Sequence, residues 1–405
     1  MMEIQRRQDA DLVVINTCTV THRTDQQVRQ AVRRINRENP AARIVVTGCY
    51  AERDPDLLAE LPGVDLVVGN VEKEILPQIL DERGPHSQIK IIRSPLDADR
   101  DYLLPPMEQT GGKTRPLVKL QDGCDAHCSY CIVPKVRGPG RSARMENVLA
   151  EIRSLVERGF QEIVLTGVHL GAFGLKLKGH PHLLDLLRHV VEIPQLGRIR
   201  LSSIEPIHFD RAIVDLAAEN PVFARHFHIP LQSGSDRILR LMRRPYTVAR
   251  FRELLRYIQT RLPDAGLGTD VLVGFPGETD QDFAETCKLV QDSPLTYLHV
   301  FPFSPREGTV AYSLPDRVSS HVMKSRLGIL LEISRLKNLS FRRRFIGQSL
   351  PAITLAHEED LGASLVLTGN YIHARVPGLS LPPNRLVDIR IEEVRPEATY
   401  ASIKQ

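Results

Sequence analysis

Short apolar runs alternate with stretches of helical spacing along most of this chain, and the alternation changes near residue 345. Residues 11–16 (DLVVIN), 43–47 (RIVVT) and 65–68 (DLVV) are continuous apolar runs of the kind a buried parallel strand needs. Between the first two, Val28, Ala31, Val32 and Ile35 recur at helical spacing within residues 24–36. Strands alternating with helices predict a doubly wound α/β domain over residues 1–85. Residues 84–112 are rich in turn formers and charge, and read as a linker before a second domain at 113–340. That domain carries strand patterns at 116–120, 162–166, 198–202, 226–230, 269–273 and 297–301. Helical patterns fall between them at 146–158, 208–218, 234–243, 247–261 and 280–290. Such a series predicts a (β/α) barrel or part of one. The tail, 341–405, shows short strand patterns at 350–355, 363–368, 371–376 and 386–393, which predict a small all-β barrel or sandwich.

Composition narrows the class. The chain has 405 residues and a formal charge of +4, so whole-chain charge does not by itself specify a nucleic-acid partner. The N-terminal stretch has no apolar leader pattern, and no run is apolar for long enough to cross a membrane. A reducing cytoplasm is the expected home, where clustered cysteines are more often metal ligands than disulfides.

The cysteines carry the sharpest signal. Cys124, Cys128 and Cys131 form C-x3-C-x2-C directly after a strand. Thiolates are the usual ligands of iron–sulfur clusters, four to a [4Fe–4S]. Three in one tight loop leave one iron without a protein donor, the mark of a catalytic rather than a closed metal site. A zinc site is the rival. His127 would be its fourth ligand, but it adjoins Cys128, and a second cysteine pair is lacking. Cys18 and Cys49 each follow the end of a strand, the edge where open α/β sheets bind ligands. Thr166 and Gly167 end another strand, Gln232 and Ser233 sit in HIPLQSGS, and Glu205 and Asp270 lie at further strand ends. Cys287, on an amphipathic helix, reads as a packed thiol, and His127 and His228 read as structural.

The string VKLQDGCDAHCSYCIVPKVRGPGRSAR resembles the radical S-adenosylmethionine (SAM) superfamily in its methylthiotransferase branch. VVINTCTVT, IVVTGCYAE, IVLTGVHLG, RLSSIEP, HIPLQSGSDRILRLMRR, TDVLVGFPGET and HVFPFSPREGT extend the likeness over nearly the whole chain. The wording is most similar to the subgroup that methylthiolates N6-threonylcarbamoyladenosine at position 37 of tRNA. The resemblance implies a [4Fe–4S] cluster on Cys124, Cys128 and Cys131 that reduces SAM to a 5′-deoxyadenosyl radical. It implies SAM contacts from Thr166, Gly167, Glu205, Gln232, Ser233, the Gly234 backbone and Asp270. An electron donor of the flavodoxin or ferredoxin kind is implied as a partner, with the sulfur source unspecified. The tail is similar to a TRAM domain, a β-barrel that grips tRNA. Two acid-free basic stretches, 132–145 and 334–347, fit a phosphate backbone or a solvated helix face. Phe341 and Phe345 fit base stacking or core packing.

The chain departs from the family at its start. Family members begin with a further strand and a cysteine that joins the equivalents of Cys18 and Cys49 in an auxiliary [4Fe–4S] cluster. With that cysteine absent here, the auxiliary site is expected to be one thiolate short and sulfur insertion impaired. A start placed too late is the favoured explanation, and a genuine truncation the other. Rival functions are methylthiolation of a ribosomal-protein side chain, or RNA binding by a cluster-bearing protein without sulfur insertion.

Overall fold

A computed structural model describes residues 10–82, 90–96, 102, 104, 114–358 and 362–404. The chain forms two compact units. The first comprises residues 1–100 together with the 123–140 and 304–313 segments, and the second the remainder.

In the first unit, β1 (Leu12–Thr17), β2 (Arg43–Gly48), β3 (Val64–Val68) and β4 (Ile91–Ile92) form one parallel sheet in that order. The helix His22–Glu38 begins at Thr21, whose hydroxyl accepts from the Thr24 N–H, and turns Val32 and Ile35 inward. They pack on Ile44, Val46 and Val67 of the sheet. The first three strands stand where the apolar runs placed them. β4 falls within the stretch read as a linker, while most of the rest of that stretch lies outside the described residues.

The second unit holds two layers of strands. β5 (Leu117–Asp122), β6 (Arg141–Ser142), β7 (Glu162–Gly167) and β8 (Arg198–Leu201) form a sheet ordered β6-β5-β7-β8. β9 (His226–His228), β10 (Gly266–Val273) and β11 (Tyr297–Pro302) form another, ordered β11-β10-β9. A parallel bridge between Ile199 and Phe223 links the two, so the strands make a partial (β/α) barrel. Helices cover its outside: Met145–Glu157 buries Val148, Leu149, Ile152, Leu155 and Val156, one stripe at helical spacing. Phe173, Leu186, Phe227, Phe251 and Val271 continue the same core.

β12 (Ser349–Glu358), β13 (Ala363–Thr368), β14 (His373–Pro377), β15 (Leu386–Val394) and β16 (Thr399–Ile403) close a barrel ordered β12-β13-β14-β16-β15. Phe341 and Phe345 are buried in its core. Of the two readings offered for them, core packing is the one the structure bears out: rings with 5% and 3% exposure are not free to stack on bases. Among the described residues, no helix is long and apolar enough to cross a membrane.

Candidate functional site

Cys18, Cys49, Cys124, Cys128 and Cys131 all fall in the first unit. β1 and β2 are parallel neighbours with Thr17 opposite Gly48, so Cys18 and Cys49 follow side by side at the same sheet edge. Gly48 has φ +98°, and a Cβ there would meet the Thr17 carbonyl oxygen at 2.5 Å. The chain turns there so that Cys49 opens the short helix Cys49–Arg53. Cys49 is buried against Ile132 and Val136, and its Sγ accepts from Arg137 Nε at 2.9 Å. Thus the basic stretch that holds Arg137 serves a cysteine of the other set.

The triplet loop is closed on itself. Gly123 has φ +70°, and a Cβ there would stand 2.0 Å from the Pro139 oxygen. The Cys124 N–H donates to Gly138 O at 3.0 Å, and the Cys131 N–H to Cys128 O at 3.1 Å. The Ala126 N–H points at Cys124 Sγ, 3.4 Å away. All three thiols are partly exposed. Three soft donors in one fixed loop, open to a ligand, fit an iron–sulfur cluster with a vacant iron. Arg306, 1% exposed, donates to Thr19 Oγ1 and Asp25 Oδ2, and Arg53 donates to the same carboxylate. This pins the loop after Cys18.

In the second unit, Thr166 and Gly167 end β7, and Gly167 lies against Gln121. Glu205 is ion-paired with the buried Arg244. Gln232 takes φ +69°, and its N–H donates to Asp270 O. Ser233 is buried, and its hydroxyl accepts from the Ser235 N–H. The Gly234 N–H donates to Thr286 Oγ1, so this backbone donor, expected for SAM, is spent within the fold. Cys287 is half-buried against the barrel core, and burial pushes its thiol up.

The barrel interior holds a cluster the sequence reading passed over. Gly266 pairs with His226, Gly268 with both His228 and Tyr297, and Asp270 with His299. Strand side chains alternate faces, so these polar residues share the inner face. Asp270 Oδ1 lies 3.0 Å from His228 Nε2 and 3.4 Å from His299 Nδ1. The Tyr297 hydroxyl bridges His228 Nδ1 at 3.1 Å and His226 Nε2 at 2.9 Å. Burial and the nearby Arg200 guanidinium hold the His226 imidazole well below its ordinary range, so it stays neutral. Burial pushes the Tyr297 phenol up, so it keeps its proton. The carboxylate of Asp270 can only accept from His228 Nε2. The Tyr297 hydroxyl can donate to one of its two imidazole neighbours and accept from the other. These groups line a cavity of about 640 Å³, large enough for a small-molecule ligand. His228, read as structural, is therefore a cavity residue. The signal was the alternation of His226 with His228 and of Tyr297 with His299, masked by the apolar residues between them.

Comparison with known proteins agrees with this arrangement. Residues 118–290 match the radical SAM superfamily model, and residues 1–69 match the uncharacterized protein family UPF0004. The threonylcarbamoyladenosine tRNA methylthiotransferase MtaB of Aquifex aeolicus (strain VF5) is 37% identical over 369 residues, 91% of this chain and 88% of that protein. The tRNA-2-methylthio-N(6)-dimethylallyladenosine synthase of Clavibacter sepedonicus is 34% identical over 403 residues, 96% of this chain and 75% of that protein. Among solved structures, the radical SAM methyltransferase TsrM from Kitasatospora setae shares the fold, with a TM-score of 0.56 at 19% identity over 75% of this chain and 66% of that one. Identity at this level over most of both relatives' length leaves one conclusion: the chain belongs to the radical SAM tRNA methylthiotransferase family.

Proposed function

We propose that this chain transfers a methylthio group to C2 of N6-threonylcarbamoyladenosine at position 37 of tRNA. The observation that carries the reading is the gathering of two strand-end cysteine sets in one compact unit. It occurs in a chain 37% identical to an enzyme named for that reaction. Cys124, Cys128 and Cys131 would hold a [4Fe–4S] cluster which, when loaded with SAM, supplies a 5′-deoxyadenosyl radical. The Gly123 turn and the Cys124–Gly138 hydrogen bond hold these thiols in place. Cys18 and Cys49 would supply two of the three thiolates of an auxiliary cluster, and Arg137 donates to the second of them. Thr166, Gly167, Glu205, Gln232, Ser233 and Asp270 position SAM. The work is divided among an N-terminal α/β domain at 1–85, a radical SAM barrel at 113–340 and a tRNA-gripping barrel at 341–405. The reaction runs in the cytoplasm with a flavodoxin- or ferredoxin-like electron donor.

RNA mass spectrometry of a strain lacking this chain tests the reading. The tRNA should keep N6-threonylcarbamoyladenosine and lose its 2-methylthio derivative. An unchanged level of the methylthio nucleoside overturns the proposal and favours a protein substrate.

A further inference from the structure

Overall identity separates the two tRNA substrates poorly, at 37% against 34% for the relatives above. The chemistry of the two N6 substituents separates them sharply. A threonylcarbamoyl group carries a carboxylate, a hydroxyl and ureido N–H groups, whereas a dimethylallyl group is wholly apolar.

The barrel cavity is built for the first kind. Arg115, Arg198 and Arg200 surround Glu162, with Arg115 at 3.5 Å and only a quarter exposed. Asp270 is the carboxylate among the residues that line the cavity, together with Arg115 and Arg200. Among the described residues, Arg115, Arg198 and Arg200 thus face Glu162 and Asp270, three guanidiniums to two carboxylates. Arg198 and Arg200 are committed to Glu162 and to backbone carbonyls. Arg115, with the longest of these contacts to Glu162, is the one able to turn to a ligand. His299, its side chain 54% exposed, presents the edge not facing Asp270.

Two further atoms point to a missing partner. Among the described residues, Ser202 Oγ and His226 Nδ1 are buried with no hydrogen-bond partner, and both residues line the cavity. His226 Nδ1 and the Ser202 hydroxyl are thus polar groups that a ligand with both donors and acceptors can meet. Orphaned buried polar atoms cost about 1–3 kcal/mol each, so a ligand that satisfies them gains on binding. Tyr371 stacks on His226 at 4.1 Å while its own backbone holds φ +73°, a strained conformation for an aromatic residue. The C-terminal barrel thus spends strain to place a ring at this cavity.

We infer that the cavity receives the N6 substituent of the target adenine, with Arg115 and His299 binding its carboxylate and His226 Nδ1 and Ser202 meeting its hydroxyl or ureido group. This rests on the function proposed above and names the residues that choose the substrate. An apolar substituent would leave the same groups desolvated and unpaired, the situation in which polar sites reject analogues most strongly.

The test is binding of the full chain to anticodon stem-loop RNAs that differ only at N6 of the target adenine, threonylcarbamoyl against dimethylallyl. Wild type should prefer the carboxylate-bearing RNA. Arg115→Met should cut that preference roughly 10- to 100-fold, with SAM affinity and thermal midpoint unchanged, and His299→Phe should cut it by a similar factor. Arg115→Lys, which keeps the charge, should retain most of it. Variants that weaken both RNAs equally, that lower SAM affinity instead, or that leave the preference intact would each overturn the inference. A wild-type chain that prefers the dimethylallyl RNA would instead overturn the proposed function itself.

Discussion

Asp270 shows two opposing forces acting on one carboxyl. Burial pushes it up, yet hydrogen bonds from His228 and His299 outweigh burial and bring it from 3.8 to about 2. A carboxyl depressed in the folded state contributes stability that is fully present above its unfolded value. That stability is lost as pH falls through the folded value. The window is therefore pH 4 down to about 2. Its size is on the order of 2 kcal/mol, since each pKa unit corresponds to ~1.4 kcal/mol. Asp270→Asn should lower stability near pH 7 by up to this amount and flatten the acid limb of the unfolding curve. Chemical denaturation at pH 7, 4 and 2.5 reads both effects. Parallel losses in wild type and variant across that window would mean that Asp270 carries no such linkage.

At the scale of elements, Glu162 joins two barrels. It lies at the start of β7 with no exposed side-chain surface, flanked by Arg198 and Arg200 of β8. Burial pushes its carboxyl up, but Arg200, Arg198 and Arg115 more than reverse this and hold it below the ordinary range. The same guanidiniums reach out to the carbonyls of Pro351, Leu367, Thr368 and Gly369 in the C-terminal barrel. Removing one partner of a buried ion pair costs about 3–5 kcal/mol, because the other charge stays behind. Glu162→Gln should destabilise the second unit by that order and, by loosening the arginine contacts to Pro351 and Leu367–Gly369, speed limited proteolysis of the C-terminal barrel. A variant as stable and as protease-resistant as wild type would deny Glu162 this role. Much of this architecture was legible from the strand runs, because a continuous apolar segment of five residues has few other uses. The helix Leu183–Val191 and the last strand Thr399–Ile403 were not singled out. In TYASI only Thr399 and Ala401 are buried, and barrel closure rather than hydrophobicity defines that strand. The cysteine loop was legible because its chemistry is local in sequence. The histidine network was not, because it exists only once β9, β10 and β11 are in register.

For the molecule as a whole, the question is where a tRNA backbone is held when net charge is only +4. The basic run at 334–347 is largely consumed by the fold. Arg335 forms a two-pronged pair with Glu332, and Lys337 donates to the carbonyls of Gln291 and Ser293. Arg342, 8% exposed, donates to Asn338 Oδ1, Thr399 Oγ1 and the carbonyls of Arg395 and Pro396. Arg344 lies over the rings of Phe341 and Phe345. Among the described residues, Arg343 is the exposed arginine of this run not tied to a carboxylate, a carbonyl or a ring. Phosphate contacts reveal themselves in the salt dependence of binding, each contributing a slope of about one. Arg342→Met should therefore cost about 2 kcal/mol of stability, through carbonyls left without donors, and leave the salt slope of tRNA binding unchanged. Arg343→Gln should leave stability within about 0.5 kcal/mol and lower the slope by roughly one. Filter binding across 50–200 mM salt, paired with denaturation, separates the two. A slope that falls with Arg342→Met and holds with Arg343→Gln would mean that the fold-bound arginine, not the exposed one, faces the RNA.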